Sequence, residues 1–177
     1  MDNAKLSKII SHALRHEPHL YNLTLDSDGW VSLSDLIISL KNKGLNVDEK
    51  IIINMVEKSE KRRHQIINGK IRAYYGHSLT EKIIKNKEIP PDILYHGTIS
   101  TSIDSIMVKG LLPQQRQYVH LSMDMETAQK VGARRNGDVK ILSIKAQEAY
   151  TKGNINFYKE ENSIWLSDAI PSKYIIF

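Results

Sequence analysis

The sequence has no cysteine among its 177 residues. Disulfide bonds, thiolate metal sites and a cysteine nucleophile are therefore excluded. It also has no apolar run that approaches the roughly 20 residues a membrane-spanning helix needs, and its first residues contain no signal-peptide core. These two absences predict a cytoplasmic protein that does not associate with a membrane.

Positive charge is the clearest feature of the composition. The net charge is +5, and most of the excess falls in residues 1–90. Between residues 61 and 72, five basic side chains occur without one acidic residue: Lys61, Arg62, Arg63, Lys70 and Arg72. A basic stripe of this kind indicates a phosphate-bearing partner, although a solvated basic hairpin gives the same pattern.

The first helix predicted by the sequence covers residues 4–16. Its apolar residues recur at helical spacing and form one stripe, Leu6, Ile9, Ile10, Ala13 and Leu14. Pro18 ends it, because the residue before a proline is pushed out of the α region. His12, His16 and His19 have a spacing close to that of a metal site. However, the proline breaks the helix before the last of them, and no carboxylate or thiol completes a set. We therefore expect no metal site.

A short strand, two helices and a hairpin follow. The turn at Asp28-Gly29 leads into a strand from Trp30, and Ser34 is expected to cap the next helix. Asn68-Gly69 between alternating apolar residues is the strongest short hairpin signal. This order of elements is typical of a winged helix, which commonly binds nucleic acid, although fold alone does not establish function. The predicted ranges are a strand at 30–33, helices at 34–40 and 48–58, and hairpin strands at 64–67 and 70–73.

The stretch from residue 93 to residue 122 has a different pattern. An apolar strand is expected to end at His96-Gly97-Thr98, and a helix that begins near Ile103 closes at Gly110. Backbone N–H groups at such a strand end are available to a ligand, and an ordinary corner with a buried histidine fits the same pattern. The predicted elements from here on are strands at 93–95, 118–122, 139–144, 155–158, 164–166 and 174–177, and a helix at 127–131.

Seven motifs carry a resemblance to a known family. In chain order they are LSKIISHALRHEP, KRRHQ, IRAYYGHS, YHGT, GLLPQQRQYVHLS, VGARRNG and IWLSDAIPSKYI. Together they resemble the RNA 2′-phosphotransferase family over nearly the whole chain. The resemblance implies an α+β fold with two lobes. A winged-helix-like RNA-binding lobe is expected at 1–88 and an ADP-ribosyltransferase-like, NAD-binding lobe at 92–177, with a linker around Pro90 and Pro91.

The resemblance also implies a reaction. Family members remove the 2′-phosphate left at a tRNA splice junction during tRNA processing, with NAD⁺ as co-substrate and without a metal. The RNA 2′-phosphate attacks the anomeric carbon of the nicotinamide ribose, nicotinamide leaves, and an ADP-ribosylated RNA results. The ribose 2″-hydroxyl then attacks the phosphate, which gives 2′-OH RNA and ADP-ribose 1″,2″-cyclic phosphate. The implied partner is an RNA carrying a 2′-phosphate, with no obligate protein partner.

Residue by residue, the family's catalytic set falls on Arg15, His16, Arg63 and Arg116. Guanidinium groups bind phosphate through paired hydrogen bonds and stay charged. A histidine can donate to the phosphate or protonate the departing RNA 2′-oxygen. The resemblance assigns NAD⁺ binding to His77, Ser78, His96, Gly97, Thr98, His120, Ser122 and Arg134. The other basic residues, expected to bind RNA, are Lys61, Arg62, Lys70 and Arg72.

The sequence departs from the family pattern at five positions. His64 stands where an aromatic residue is usual, and Tyr74 and Tyr75 replace an Asn-Gln-like pair. Tyr118 and Arg135 each stand where histidine is common. None of the five belongs to the proposed catalytic set, so they bear on substrate contacts rather than on the reaction class.

Two other functions fit parts of the sequence. An ADP-ribosyltransferase that modifies another nucleic-acid or protein acceptor would share the NAD-binding lobe, and Arg15, His16 and Arg63 would distinguish the two enzymes. A winged-helix protein without catalysis would bind nucleic acid, but NAD⁺ would not raise its melting temperature.

Overall fold

Six α-helices and two β-sheets make up the computed structural model over residues 2–161 and 163–177, the residues that the structure describes. The expected mixture of helices and strands is thereby confirmed. The chain divides into two compact units, Met1–Ile84 and Lys85–Phe177. Within the described residues, no helix combines the length and the apolar character that crossing a membrane requires.

The first unit begins with α1, Asn3–Arg15, whose N-terminus is capped by the carboxylate of Asp2. The predicted apolar stripe is confirmed, since Leu6, Ile10, Ala13 and Leu14 are fully buried and Ile9 packs beside them. Burying a leucine or isoleucine side chain contributes roughly 1.5–3 kcal/mol, so this stripe holds α1 against the core of the unit. A 3₁₀ turn, Pro18–Tyr21, follows the helix.

The other elements of the first unit are β1 (Val31–Ser32), α2 (Leu33–Asn42), α3 (Glu49–Glu57), β2 (His64–Ile67) and β3 (Lys70–Ala73). The three strands form an antiparallel sheet in the order β1-β3-β2. The predicted hairpin is confirmed, because Asn68 and Gly69 have positive φ angles of 48° and 70°, as a tight two-residue turn requires. The winged-helix assignment stays a prediction.

The predicted cap of α2 is wrong by two residues. Ser32 is the N-cap, and its hydroxyl accepts a hydrogen bond from the Asp35 amide at 3.4 Å. Ser34 lies in the first turn of the helix, with its hydroxyl 2.6 Å from that of Ser32. β1 is only two residues long, and α2 begins directly after it at Leu33.

The second unit contains β4 (Ile93–Ile99), α4 (Ile103–Lys109), β5 (Val119–Ser122), α5 (Met125–Gly132), β6 (Val139–Lys145), α6 (Ala146–Gly153), β7 (Phe157–Lys159), β8 (Ile164–Ser167) and β9 (Ile175–Ile176). Its strands form one antiparallel sheet in the order β7-β8-β5-β4-β6-β9. The predicted strands after β4 and the helices α4 and α5 are confirmed, with ends that differ by a few residues. Helix α6 was not predicted, since it buries only two alanines, Ala146 and Ala149.

The sequence predicted that the first strand of this unit ends at His96-Gly97-Thr98, and this prediction is wrong for β4. The strand continues to Ile99, with His96 opposite Leu142 and Thr98 opposite Lys140 on β6. On its other side β4 pairs with β5 only at Tyr95 and Ser122. The HGT residues therefore lie inside a strand whose pairing is continuous on one edge and interrupted on the other.

Gly97 is the point at which α5 packs on β4. A Cβ at Gly97 would lie 1.9 Å from the Ala128 carbonyl oxygen and 2.9 Å from the Gly132 nitrogen. Both neighbours are backbone atoms, which cannot rotate away. A glycine at this strand position is thus required by helix packing alone, whatever else its backbone contacts.

We expect Gly97→Ala to lower the free energy of unfolding by at least about 3 kcal/mol, because the methyl group forces α5 away from the sheet. Chemical denaturation measures the change. Gly44→Ala is the control, since a Cβ there meets nothing within 4 Å and only the φ of +80° is strained, a cost of about 1 kcal/mol. Equal, small losses in the two variants would contradict the packing argument.

Candidate active site

The first group of predicted site residues gathers at the C-terminal end of α1. Arg15 is the last residue of the helix and His16 is its C-cap. The segment after β3 reaches this end: the Ser78 amide donates to the Arg15 carbonyl at 3.0 Å, and the Ser78 hydroxyl lies 2.8 Å from Nδ1 of His16. Two residues assigned to catalysis and one assigned to NAD⁺ are therefore in direct contact within the first unit.

Arg63 joins the same group through its backbone. The Arg63 carbonyl accepts one hydrogen bond from Nη2 of Arg15 at 3.3 Å and another from the Tyr74 amide at 3.1 Å. The Arg15 guanidinium also lies over the Tyr75 ring, 5.4 Å from its centroid, an arrangement that favours a cation. The structure thus brings together Arg15, His16 and Arg63, three of the four predicted catalytic residues.

His64 is a buried, neutral histidine close to Arg15 and Arg63. Its Nε2 lies 3.0 Å from the Ser11 hydroxyl, and the residue is 4% exposed. Burial first, and then the positive charges of Arg15 and Arg63, lower the pKa of His64 to about 3. The ring therefore adds no charge beside the two guanidinium groups at neutral pH.

The predicted basic stripe is divided in the structure. Lys61 and Arg62 are exposed between α3 and β2. Arg72, in contrast, donates from Nε to Gln65 at 2.9 Å and lies over the Trp30 ring, 4.5 Å from its centroid. The residues of the stripe thus differ in exposure, and RNA binding by any of them stays a prediction.

Lys70, the remaining residue of the stripe, lies 3.7 Å from the Asp26 carboxylate. Both side chains are about half exposed, so the pair contributes little to stability.

The second group of predicted site residues lies on β4 and β5 of the second unit. Where the two strands stop pairing, the His96 side chain connects them, because Nδ1 of His96 donates to the His120 carbonyl at 2.9 Å. Burial lowers the pKa of His96; the hydrogen bond to His120 opposes this, and the charges of Arg135 and Arg116 add to the lowering. His96 is therefore neutral at pH 7, with Nε2 as an acceptor.

The other predicted NAD-side residues differ in exposure. Thr98 on β4 and Ser122 at the end of β5 are buried, while His120 is partly buried with Nδ1 3.1 Å from the Tyr118 carbonyl oxygen. Arg116 in the loop before β5 and Arg134 after α5 are exposed. His77, also assigned to NAD⁺ by the resemblance, belongs to the first unit, where it is 3% exposed.

Similarity to known proteins assigns the chain to a family. Residues 1–169 match the family model for the RNA 2′-phosphotransferase, Tpt1 / KptA family. The chain belongs to this RNA 2′-phosphotransferase family. A protein of Acetivibrio thermocellus described as "Probable RNA 2′-phosphotransferase" is 51% identical, over 100% of this chain and 98% of that protein. Proteins with the same description from Bacillus thuringiensis subsp. konkukian and Fusobacterium nucleatum are 45% and 42% identical, over 96% and 100% of this chain and 92% and 100% of their own lengths.

One of the departures from the family pattern, Tyr118, has a structural role. Tyr118 is buried edge-on against Tyr158, with ring centroids 4.9 Å apart, and burial raises the pKa of Tyr118. Tyr158 in turn donates to Asp168 at 3.4 Å. Tyr118 therefore supports the strand that carries His120.

Sequence reasoning assigned no role to four residues that contact a predicted site residue or its neighbour, or act on one electrostatically. Ser11 bonds to His64, Tyr75 packs under Arg15, and Gly76 has a φ of +90°, with Arg15 Nη1 3.5 Å from the position of a Cβ. Arg135 is the fourth, since its charge acts on His96. The sequence marked Tyr75 and Arg135 only as departures from the family pattern. Ser11 and Gly76 meet their neighbours through tertiary contacts, which no local sequence pattern predicts.

We expect His64 to make folding stability depend on pH below neutrality. Between pH 6.5 and pH 3 the unfolded chain protonates His64 and the folded protein does not, so stability falls as pH falls. With an ordinary pKa of 6.5 and a folded pKa of about 3, this histidine accounts for a loss of about 1.5 kcal/mol between pH 6.5 and pH 5. Urea denaturation of wild type and His64→Phe at both pH values measures it.

His19→Phe is the control, because it removes an exposed histidine from the same unit. The His64→Phe protein should lose less stability on acidification than wild type, and His19→Phe should follow wild type. If all three proteins lose the same stability between the two pH values, the His64 ring is not held neutral.

Proposed function

We propose that this protein is an NAD⁺-dependent RNA 2′-phosphotransferase. It transfers the 2′-phosphate of an RNA, such as a tRNA splice junction, to NAD⁺ and gives 2′-OH RNA, nicotinamide and ADP-ribose 1″,2″-cyclic phosphate. The observation that carries the proposal is the convergence of Arg15, His16 and Arg63 at the end of α1, in a chain that belongs to the RNA 2′-phosphotransferase family.

The arginines suit the phosphate of the acceptor RNA. Arg15 is fixed by the Arg63 carbonyl and by the Tyr75 ring, so its guanidinium is ordered before an anion arrives. Ordered donors of fixed charge favour the charge distribution of a reacting phosphate more than mobile ones do. Arg116, from the second unit, is the remaining member of the proposed set.

The neutral His96 suits a hydroxyl of NAD⁺. With Nδ1–H held by the His120 carbonyl, Nε2 keeps its lone pair and can accept a hydrogen bond from a ribose hydroxyl. A neutral ring also avoids placing another positive charge near the cationic nicotinamide ring. We assign His120, Thr98, Ser122 and Arg134 to the same side of the reaction, and Gly97 to the packing that holds β4 in place.

The proposed reaction proceeds in two steps. First, a phosphate oxygen forms a bond to the anomeric carbon, and the bond from that carbon to nicotinamide breaks. Because the phosphate nucleophile is already anionic, this step requires no base. Second, the ribose 2″-hydroxyl gives up its proton to solvent and its oxygen bonds to phosphorus. The bond to the RNA 2′-oxygen breaks, and His16 supplies the proton that this oxygen takes.

The decisive experiment incubates the protein with NAD⁺ and an oligonucleotide that carries one internal 2′-phosphate. We expect 2′-OH RNA, nicotinamide and the cyclic phosphate, identified by mass. Oligonucleotides with a 5′-phosphate and no 2′-phosphate form the comparison. A stable ADP-ribosyl group on the 5′-phosphate alone would indicate the other kind of ADP-ribosyltransferase, and binding of RNA without any consumption of NAD⁺ would indicate a non-catalytic protein.

We expect Arg63→Lys and His16→Ala to make ADP-ribosylated RNA accumulate. The second step depends on charge neutralisation and a proton donor, and lysine keeps the charge of arginine but loses its paired hydrogen bonds. Losing a general acid slows a step by about 10²–10⁴-fold. His96→Ala should instead slow nicotinamide release. A time course of substrate RNA, ADP-ribosylated RNA and dephosphorylated RNA measures all three variants.

His19→Ala is the control for His16→Ala, because it removes an exposed histidine three residues further on. If Arg63→Lys and His16→Ala both slow the loss of substrate and no intermediate appears, these residues act in the first step or in binding.

A further inference from the structure

Ser78 contacts two consecutive residues of the proposed active site. Its amide donates to the carbonyl of Arg15 at 3.0 Å, and its hydroxyl lies 2.8 Å from Nδ1 of His16. The last carbonyls of a helix have no partner within the helix, so the amide contact completes the end of α1. The hydroxyl contact is a separate interaction, made by the side chain alone.

The backbone around Ser78 is placed by its neighbours. Gly76 has a φ of +90°, a conformation that favours glycine, and the Arg15 side chain packs on it. His77 is buried at 3% exposure, whereas Ser78 itself is exposed. The segment is therefore anchored by Gly76 and His77, and removal of the Ser78 hydroxyl leaves that anchoring and the amide contact in place.

The hydroxyl contact involves one of the two ring nitrogens of His16, Nδ1. We propose that Ser78 is a positioning residue that accepts a hydrogen bond from Nδ1–H of His16 and so reserves Nε2 for proton transfer. The acceptor role of Ser78 is the same before and after His16 gives up a proton: the Nδ1–H bond persists, and the proton leaves from Nε2. This inference rests on the proposed function, and it gives Ser78 a role different from the NAD⁺ contact expected from the sequence.

The surroundings of His16 suit such a role. The His12 ring is 6.1 Å away, but its Nε2 is occupied by the Glu17 carboxylate at 2.9 Å. Arg15 is the other charged neighbour along the chain. Without a fixed partner at Nδ1, an exposed imidazole can rotate and exchange the proton between its two nitrogens. A partner fixed by the buried His77 and by Gly76 limits both motions.

The test compares Ser78→Ala with Ser78→Thr, which keeps a hydroxyl at an exposed position. Nitrogen NMR of the His16 ring reports the tautomer without any substrate. We expect Nδ1 to carry the proton of the neutral ring in wild type and in Ser78→Thr, and both nitrogens to share it in Ser78→Ala. In the RNA time course, Ser78→Ala should slow the second step about 10–100-fold, as loss of a supporting hydrogen bond does elsewhere, and Ser78→Thr should restore most of it.

Two controls separate this effect from a general loss of structure. Thr80→Ala removes an exposed hydroxyl two residues further along the same segment. Ser11→Ala removes the hydroxyl of the other serine–histidine pair on α1. Neither should change the tautomer of His16, and circular dichroism should show that every variant is folded.

The outcomes are distinct. An unchanged His16 tautomer in Ser78→Ala overturns the proposal, and so does a Ser78→Thr protein that behaves like Ser78→Ala. Slower nicotinamide release in Ser78→Ala, with no ADP-ribosylated RNA accumulating, places Ser78 on NAD⁺ instead and overturns it as well. If wild type does not turn over the 2′-phosphorylated RNA, the proposed function fails, and the tautomer measurement still decides whether Ser78 sets the state of His16.

Discussion

The end of α1 is the constraint on which the first unit's site depends. A helix leaves its last carbonyls without internal partners, and here the Ser78 amide supplies one for Arg15. That contact fixes the segment after β3 against the helix. As a result Tyr75 lies under the Arg15 guanidinium and the Ser78 hydroxyl meets His16. An ordinary requirement of helix termination therefore brings residues more than 60 positions apart into one group.

In the second unit, a side-chain hydrogen bond takes the place of backbone pairing between two strands. Between β4 and β5 the backbone pairing stops after Tyr95 and Ser122, and the His96 side chain provides the next connection. The opposite edge of β4 stays fully paired with β6, and α5 packs on Gly97 from above with no room for a Cβ. Strand β4 is held from two sides, so the His96 ring has a rigid support on the side where pairing is interrupted.

The sequence predicted the elements that depend on local signals. It failed to predict features that depend on contacts between residues distant in the chain. The stripe of α1, the Asn68-Gly69 hairpin and Gly110 as the cap of α4 follow from spacing and turn chemistry, and all are confirmed. The end of β4 was wrong because His96-Gly97-Thr98 reads as a break, whereas the glycine there serves the packing of α5. Family motifs supplied the candidate site residues, but the contact between Ser78 and His16 joins two different motifs, and a motif does not state its partners.

Burial separates the three histidines that lie at or near the proposed site residues. Burial keeps His64 and His96 neutral at pH 7, so neither holds the extra proton that a general acid transfers, and neither adds positive charge. His64 lies beside Arg15 and Arg63, whose positive charges would repel a protonated ring. His16 is the exposed one of the three, and its ring is held at Nδ1 rather than enclosed. The proposed function therefore gives proton delivery to the RNA 2′-oxygen to His16, which solvent reaches. The proposal that His16 is the general acid therefore rests on its exposure, compared with the burial of His64 and His96, as much as on the motif that contains it.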